Sequence, residues 1–172
     1  PIKIATIGSA TMDDIEARTR RLARWGRAKG VKIGAIVIDY LGLIMRKQSG
    51  GQTDASAIAG ITERLKRLQR STGIAIICLA QLNRQCEQRE DKRPRTSDLR
   101  DSGAIEQDAD IVLFIHRPEM YRDLREKAEQ AGDSIDGKAE VIMAKHRNGP
   151  TGSIDLFFHK QFTRFDSRTD RE

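Results

Sequence analysis

The sequence has 172 residues, 38% of them apolar, and 31 Lys and Arg against 25 Asp and Glu, which gives a net charge of +6. The length is usual for a single domain, and the apolar content is enough for one hydrophobic core. The positive charge favours a polyanionic partner, although a mixed, solvated surface explains much of it. No apolar run reaches transmembrane length and the N terminus lacks the apolar core of a signal peptide, so we expect no membrane association.

The cysteines indicate the redox environment of the chain, and the first residue indicates whether the sequence is part of a longer one. Cys78 lies in an apolar stretch and Cys86 in a polar one, and neither has a Cys or His at metal-ligand spacing. We therefore expect two free thiols in a reducing cytoplasm. The sequence begins at Pro1, without Met, in a strand-like stretch, so we expect it to be part of a longer chain.

A strand, an amphipathic helix and a second strand are predicted near the N terminus. Residues 2–5 alternate loosely, as in a short strand. Thr11 and Asp14 have the spacing of a capping box, and apolar residues at helical spacing continue the helix to about residue 30. Residues 35–38 form a short β-branched run, typical of a parallel strand buried on both faces. This order predicts a right-handed parallel crossover.

Asp39 follows that strand directly and is the first candidate functional residue. A carboxylate at the carboxyl end of a central strand lies where open α/β sheets bind their ligands. There it can hold Mg²⁺ while the metal screens phosphate oxygens. The alternative is an Asp that only caps the following turn.

A second helix and a second strand follow a polar break. Residues 45–56 are polar and contain Gly, which predicts a mobile loop. Gly73 ends the predicted helix, and residues 74–80 form a buried strand that ends in Gln81. An amide there suits γ-phosphate sensing or the positioning of water, and the alternative is an amide that caps the backbone. The helix is predicted from four apolar residues that share one face: Ile58, Ile61, Leu65 and Leu68.

The middle of the chain is mostly polar. Residues 82–98 have no apolar period and many basic side chains, so this segment is either functional or disordered. Residues 99–110 read as a turn-rich piece before a third buried strand at 111–116. A polar helix is predicted over about 119–131.

The C-terminal part is predicted to be β-structure. A strand from residue 138 runs into a charged turn, and an antiparallel hairpin closes around residues 159–161. Lys145 and Arg147 are two apart, so on a strand they project to the same side. Both could reach a phosphate outside their own subunit, as an arginine finger does, and the alternative is surface ion pairs. If the strands are parallel, these cations share one edge of the sheet with Asp39 and Gln81.

Three segments resemble the replicative hexameric helicases of the DnaB type over about residues 1–166: IVIDYLGL, then LAQLNRQCEQREDKRPRTSDLRDSGAIEQDADIVLFIHR, then AKHRNGPTGSIDLFF. The resemblance implies a RecA-like three-layer α/β fold, with a mostly parallel central sheet and an antiparallel C-terminal hairpin. Residues 1–172 would be the C-terminal portion of one motor domain. The implied activity is that of an ATP-dependent helicase, which moves 5′–3′ on single-stranded DNA and unwinds duplex at the replication fork.

The resemblance also assigns nucleotide-site residues. Asp39 resembles the Walker B carboxylate that organises Mg²⁺ beside ATP. Gln81 resembles the amide that links the γ-phosphate to the DNA loops and is counted among the catalytic residues. Lys145 and Arg147 match the pair that is supplied in trans to the ATP of the neighbouring subunit.

Further positions match the DNA loop of the family. Arg100, Asp101 and Gly103 match the residues that grip the single-strand backbone. The implied partners are single-stranded DNA, other copies of the chain in a hexameric ring, a primase and a helicase loader, in the cytoplasm.

Two departures from the family pattern bear on activity. The Gly-rich Walker A loop and the glutamate that acts as base are not in these residues, and the resemblance places both upstream of Pro1. We therefore expect the 172 residues alone not to hydrolyse ATP. Gly42 stands where a Gln is common, which affects any contact made there.

Two other classes of protein are alternatives to the helicase. A RecA-like recombinase or clock-type ATPase would share the Walker B strand but would not be expected to carry SDLRDSGAIEQDAD. A non-enzymatic single-strand-binding module would depend on aromatic stacking, and aromatic residues are only 5% of the chain.

Overall fold

The computed structural model describes residue 4 and residues 10–48, 54–99 and 102–167. The chain divides into two compact units, of which the first contains residues 1–81 and 99–108 and the second contains residues 82–98 and 109–172. The predicted strand at residues 2–5, and with it the predicted crossover, lies outside the described residues except for Ile4, which is not in a strand. The assignment of residues 1–172 to one motor domain stays a prediction.

The first unit begins with the predicted amphipathic helix. Its capping box is present, because the Asp14 N–H donates to Thr11 Oγ1 at 3.2 Å and the Thr11 N–H donates to the Asp14 carboxylate at 2.9 Å. Gly30 ends the helix in the left-handed conformation, with φ 65°. The elements of this unit are α1 (Met12–Lys29), β1 (Ala35–Ile38), α2 (Leu41–Gln48), α3 (Asp54–Thr72), β2 (Ala75–Cys78) and α4 (Ser102–Asp108).

Strands β1 and β2 are parallel neighbours, and only one of their faces is covered. Ile38 and Ile76 pack against the core, whereas Val37 is 62% and Ile77 53% exposed. Successive side chains of a strand point to opposite faces, and here one face packs on the core while the other is exposed. The prediction of strands buried on both faces is therefore wrong for the described residues. The core of this unit comprises residues from α1, α2 and α3: Met12, Leu41, Ile44, Ile61 and Leu65.

Two segments predicted as irregular are helical. Residues 45–48 continue α2, and α3 already begins at Asp54, so a loop over 45–56 is wrong except at 49–53, which lie outside the described residues. The predicted turn-rich piece contains α4, from which Ile105 packs on the core. In both cases tertiary burial of a few apolar side chains outweighs the polar composition.

The second unit is a four-stranded antiparallel sheet in the order β3–β4–β5–β6. The predicted C-terminal hairpin is present as β5 and β6. The prediction that the carboxyl ends of β3 and β4 lie at one edge of a parallel sheet is wrong, because β4 runs antiparallel to β3. Between them, Gly132 and Gly137 take positive φ values of 71° and 68° where the chain reverses after α5. The elements are β3 (Ile111–His116), α5 (Arg122–Gln130), β4 (Lys138–His146), β5 (Gly152–His159) and β6 (Arg164–Ser167).

The basic segment at residues 82–98 is ordered around one buried carboxylate. Asp98 accepts hydrogen bonds from the Arg89 guanidinium at 2.8 Å and from the Arg95 N–H at 2.7 Å. The Arg89 hydrogen bond lowers the pKa of Asp98 against the opposing effect of burial. Part of the positive charge of this segment is thus engaged within the chain. In the described ranges, no helix is long and apolar enough to cross a membrane.

Candidate functional site

Asp39 and Gln81 lie at the same end of the parallel strand pair, as the sequence predicts. The Leu79 N–H donates to the Ile38 carbonyl at 3.0 Å, and the Leu41 N–H donates to the Leu79 carbonyl at 2.9 Å. These two bonds place Asp39 beside Leu79, and Leu79 is two residues before Gln81 in the sequence. We call this end of the pair, with Asp39 and Gln81, the carboxyl edge.

The details of Gln81 differ from the prediction. Strand β2 ends at Cys78, so Gln81 lies three residues beyond it rather than at its last position. Both Gln81 and Asp39 are exposed. The Asp39–Tyr40 peptide bond, immediately after β1, is cis.

The donor set at the carboxyl edge suits a hard cation only together with other ligands. Asp39 offers carboxylate oxygens, and no group of three or more His, Cys, Asp or Glu able to hold a metal is found in the part of the chain that the structure describes. Mg²⁺ in phosphate-transferring sites is usually held by one or two carboxylates, by waters and by substrate phosphates. A single exposed carboxylate therefore fits Mg²⁺ bound together with a phosphate, and does not fit a metal cage made by the protein alone.

Gly42, which departs from the family pattern, lies under an aromatic ring. A Cβ placed on Gly42 would come within 2.7 Å of Tyr40 Cε2. The Tyr40 ring thus occupies the space into which a side chain at position 42 would extend. A Gln at this position requires the ring to move.

The three positions assigned to DNA are only partly described. Arg100 and Asp101 lie outside the described residues. Gly103 is in the first turn of α4, it is exposed, and a Cβ there would meet nothing within 4 Å. The neighbours of Gly103 in this chain therefore do not require a glycine.

Lys145 and Arg147 lie where the second unit turns from β4 into β5. Lys145 pairs with Val112 in the β3–β4 ladder, but β4 ends at His146, so Arg147 is in the turn and not on the strand. The Arg147 N–H donates to the Asp110 carbonyl at 2.8 Å, and the Arg147 guanidinium lies 3.0 Å from Asp110 Oδ1. The surface ion pair that was the alternative for the cations is thus present for Arg147.

The turn also contains a close packing contact that the sequence did not predict. A Cβ added to Gly149 would come within 2.5 Å of His146 Nδ1, so the backbone at Gly149 lies against the imidazole ring. We call residues 147–150, which follow β4, the hairpin turn. The feature of the sequence that could have indicated this contact is a glycine in a predicted turn, Gly149, three residues after the ring of His146.

Comparison with known proteins identifies relatives that match most of the chain. A family model, "DnaB-like helicase C terminal domain", matches residues 1–167. The replicative DNA helicase DnaB of Rickettsia felis is 42% identical over 168 residues, covering 91% of this chain and 32% of the relative. That of Haemophilus influenzae is 42% identical over 161 residues, covering 94% of this chain and 32% of the relative. The chain thus spans about a third of the length of these curated relatives.

Solved structures give the same result for the fold. One, described as an ATPase domain, has a TM-score of 0.79 and 36% identity, covering 92% of this chain and 52% of that one. A DnaB-like replicative helicase, described with its interactions with primase, has a TM-score of 0.79 and 36% identity, covering 96% of this chain and 36% of that one. The expected RecA-like α/β fold is confirmed, and neither the recombinase or clock-type ATPase nor the binding module is favoured.

Proposed function

The chain belongs to the DnaB-like helicase C-terminal domain family, and on this premise we propose that it is part of an ATP-driven replicative DNA helicase. The complete protein moves 5′–3′ along single-stranded DNA and unwinds duplex at the fork. The observation that carries the proposal is the carboxyl edge, where Asp39 and Gln81 follow two paired parallel strands. Ligands of open α/β sheets bind at such an edge.

The nucleotide site uses the two residues of the carboxyl edge. When bound, Mg²⁺ neutralises charge on the ATP phosphates, and Asp39 is the residue that would hold it, directly or through water. Gln81 contacts the γ-phosphate and links it to the DNA loop, so that the loop responds to the presence of the γ-phosphate. The exposure of both side chains supports roles that are completed by a ligand.

The end of β4 and the hairpin turn serve a second subunit. In a ring of six copies, Lys145 and Arg147 reach the ATP of the neighbouring subunit and stabilise charge on the transferring phosphoryl group. A guanidinium is suited to this because it can donate two parallel hydrogen bonds to phosphate oxygens. The exposed position of Arg147 in a turn supports a contact outside its own chain.

Arg100, Asp101 and Gly103 contact the single-stranded DNA. Such contacts are to the phosphate backbone, so they position the strand without reading its sequence. The open surroundings of Gly103 support a close approach of the strand to the backbone there. Primase and a helicase loader are the further partners, in the cytoplasm, and a structurally similar helicase is described with its interactions with primase.

The experiment that tests the proposal compares ATP hydrolysis and strand separation in the full-length protein, with and without single-stranded DNA. We expect DNA-stimulated ATP hydrolysis and ATP-dependent unwinding of a forked duplex in the wild type. Asp39→Asn removes the charge that holds Mg²⁺ and should lower kcat by roughly 10³-fold, the scale of one lost electrostatic group. Asp13→Asn, which changes an exposed carboxylate on α1, is the matched control. Unchanged hydrolysis in Asp39→Asn would contradict the proposal.

A further inference from the structure

Arg147 is held by the residue that precedes β3. Asp110 accepts a hydrogen bond from the Arg147 N–H at 2.8 Å through its carbonyl, and its Oδ1 lies 3.0 Å from Arg147 Nη1. One residue thus contacts both the backbone and the guanidinium of Arg147. Two such contacts fix where the side chain starts and where its charged end lies.

The sheet fixes the position of Asp110 itself. The next residue, Ile111, pairs with His146, and Val112 pairs with Lys145. Asp110 and Arg147 therefore face each other as the continuation of the β3–β4 ladder. The Asp110 carboxylate is placed by backbone pairing and not by the conformation of a long loop.

The exposure of the pair indicates that its effect is on orientation more than on stability. The Arg147 and Asp110 side chains are 48% and 52% exposed, and ion pairs exposed to this degree contribute little to folding stability. An Arg side chain loses much rotamer freedom when it is ordered. A contact that orders it before phosphate arrives removes part of that cost from the reaction.

We propose that Asp110 is a positioning residue that holds the Arg147 guanidinium in the orientation in which it meets the phosphate of the neighbouring subunit. The inference rests on the proposed role of Arg147 in trans. A guanidinium has five N–H donors, so contact with the Asp110 carboxylate and contact with a phosphate are compatible. In this role Asp110 acts on the phosphate through Arg147, so it is a positioning residue and not a catalytic one.

A double-mutant cycle in the full-length protein tests this inference. We would measure kcat and KM for ATP at saturating single-stranded DNA in the wild type, Asp110→Asn, Arg147→Ala and the double variant. Asp110→Asn should lower kcat roughly tenfold, because small misplacements of a catalytic group cost this much or more, while KM changes less than about twofold. In the Arg147→Ala background, Asp110→Asn should have no further effect, because nothing is left to position.

Two additional variants separate positioning from general structural damage. Asp166→Asn breaks a comparable exposed pair on β6, where Asp166 contacts Arg164 at 2.7 Å, and it should leave kcat unchanged. Asp110→Glu keeps a carboxylate and should recover most of the lost rate. If Asp110→Asn assembles poorly, Asp110→Ser takes its place in the cycle.

The outcomes distinguish this inference from the function on which it rests. If Arg147→Ala keeps the wild-type kcat, the proposed role in trans is wrong. If Arg147→Ala loses activity but Asp110→Asn behaves like Asp166→Asn, the positioning role is wrong. An equal loss from Asp110→Asn with and without Arg147 also overturns it, because the effect would then be independent of the finger.

Discussion

The carboxyl edge and the hairpin turn differ in how the chain holds their functional side chains. At the carboxyl edge, Asp39 and Gln81 are exposed, and backbone bonds of neighbouring residues set their positions. At the hairpin turn, an ion pair with Asp110 adds to the backbone hydrogen bond of Arg147, and the His146 ring lies against Gly149. We infer that the edge is ordered by its ligand, whereas Arg147, in its proposed role on another subunit, is oriented in advance.

The largest effect is expected when the oriented cation is removed. Arg147→Ala in the full-length protein should lower kcat by roughly 10³-fold or more, the scale of a lost arginine finger. Binding of ATP should stay nearly intact, because the carboxyl edge of the binding subunit is unchanged. Steady-state ATP hydrolysis, together with nucleotide binding by fluorescence titration, measures both.

Arg164→Ala is the matched control for this loss. Arg164 is on β6 of the same sheet, is 63% exposed, and pairs with Asp166. It should keep the wild-type kcat. Equal losses in the two variants would show that any exposed arginine of this sheet supports activity, and the contrast between the two regions would disappear.

The next effect concerns a buried carboxylate that supports the sheet carrying the hairpin turn. Glu119 is 5% exposed; it accepts hydrogen bonds from Arg117 at 2.5 Å and from the Gly137 N–H at 2.7 Å, and lies 3.0 Å from Lys160 Nζ. Glu119→Gln leaves these cations partly uncompensated and should lower the free energy of unfolding by about 3 kcal/mol. Thermal and urea unfolding of the chain would measure the loss.

The pH dependence of stability gives the same group a second readout. Burial alone would raise the pKa of Glu119, but the hydrogen bonds from Arg117, Gly137 and Lys160 outweigh it and lower the pKa from 4.5 to about 2. Because the folded-state pKa is depressed, the stabilisation is present above about pH 4.5 and is lost as the pH falls towards 2. Glu119→Gln should flatten this part of the profile relative to the wild type. A wild-type slope retained in Glu119→Gln would assign the acid sensitivity to other carboxylates.

The smallest of these effects tests the ring contact in the hairpin turn. Gly149→Ala places a Cβ 2.5 Å from His146 Nδ1, so either the His146 ring or the turn must shift, and a shifted turn displaces Arg147. We expect kcat to fall roughly tenfold with little change in KM for ATP. Gly152→Ala is the matched control, since a Cβ there meets nothing within 4 Å. If the two variants are equally active, the ring contact has no part in positioning Arg147.

The elements that could be predicted from the sequence are those whose signals are local. The capping box at Thr11 and the apolar period of α3 depend on neighbouring residues, and both predictions are confirmed. The helical conformation of residues 45–48 and 102–108 could not be predicted, because it depends on burial of Ile44 and Ile105 in a core made elsewhere. Strands were also predicted at the positions of β3 and β4, but a strand signal in the sequence does not tell which way paired strands run.

The residues of the candidate site also differ in how far the sequence could predict their positions. Asp39 and Gln81 were predictable as neighbours because each follows a short apolar strand and a predicted helix lies between the two strands, as in a parallel crossover. The contact between Asp110 and Arg147 joins residues far apart in the sequence, and no spacing indicates it. Gly149 was predicted as a turn residue, but its contact with the His146 ring depends on side-chain packing.

The central claim, that Arg147 completes the site of a neighbouring subunit, is tested most directly by mixing two inactive variants of the full-length protein. One carries Arg147→Ala and the other carries Asp39→Asn, and exchange of subunits is verified with two fluorescent labels. Mixed rings contain sites with an intact Asp39 from one subunit and an intact Arg147 from the next. We predict that ATP hydrolysis rises above that of either variant and is greatest near equal proportions. No recovery at any ratio, with exchange verified, would show that Arg147 acts within its own subunit or only in the fold.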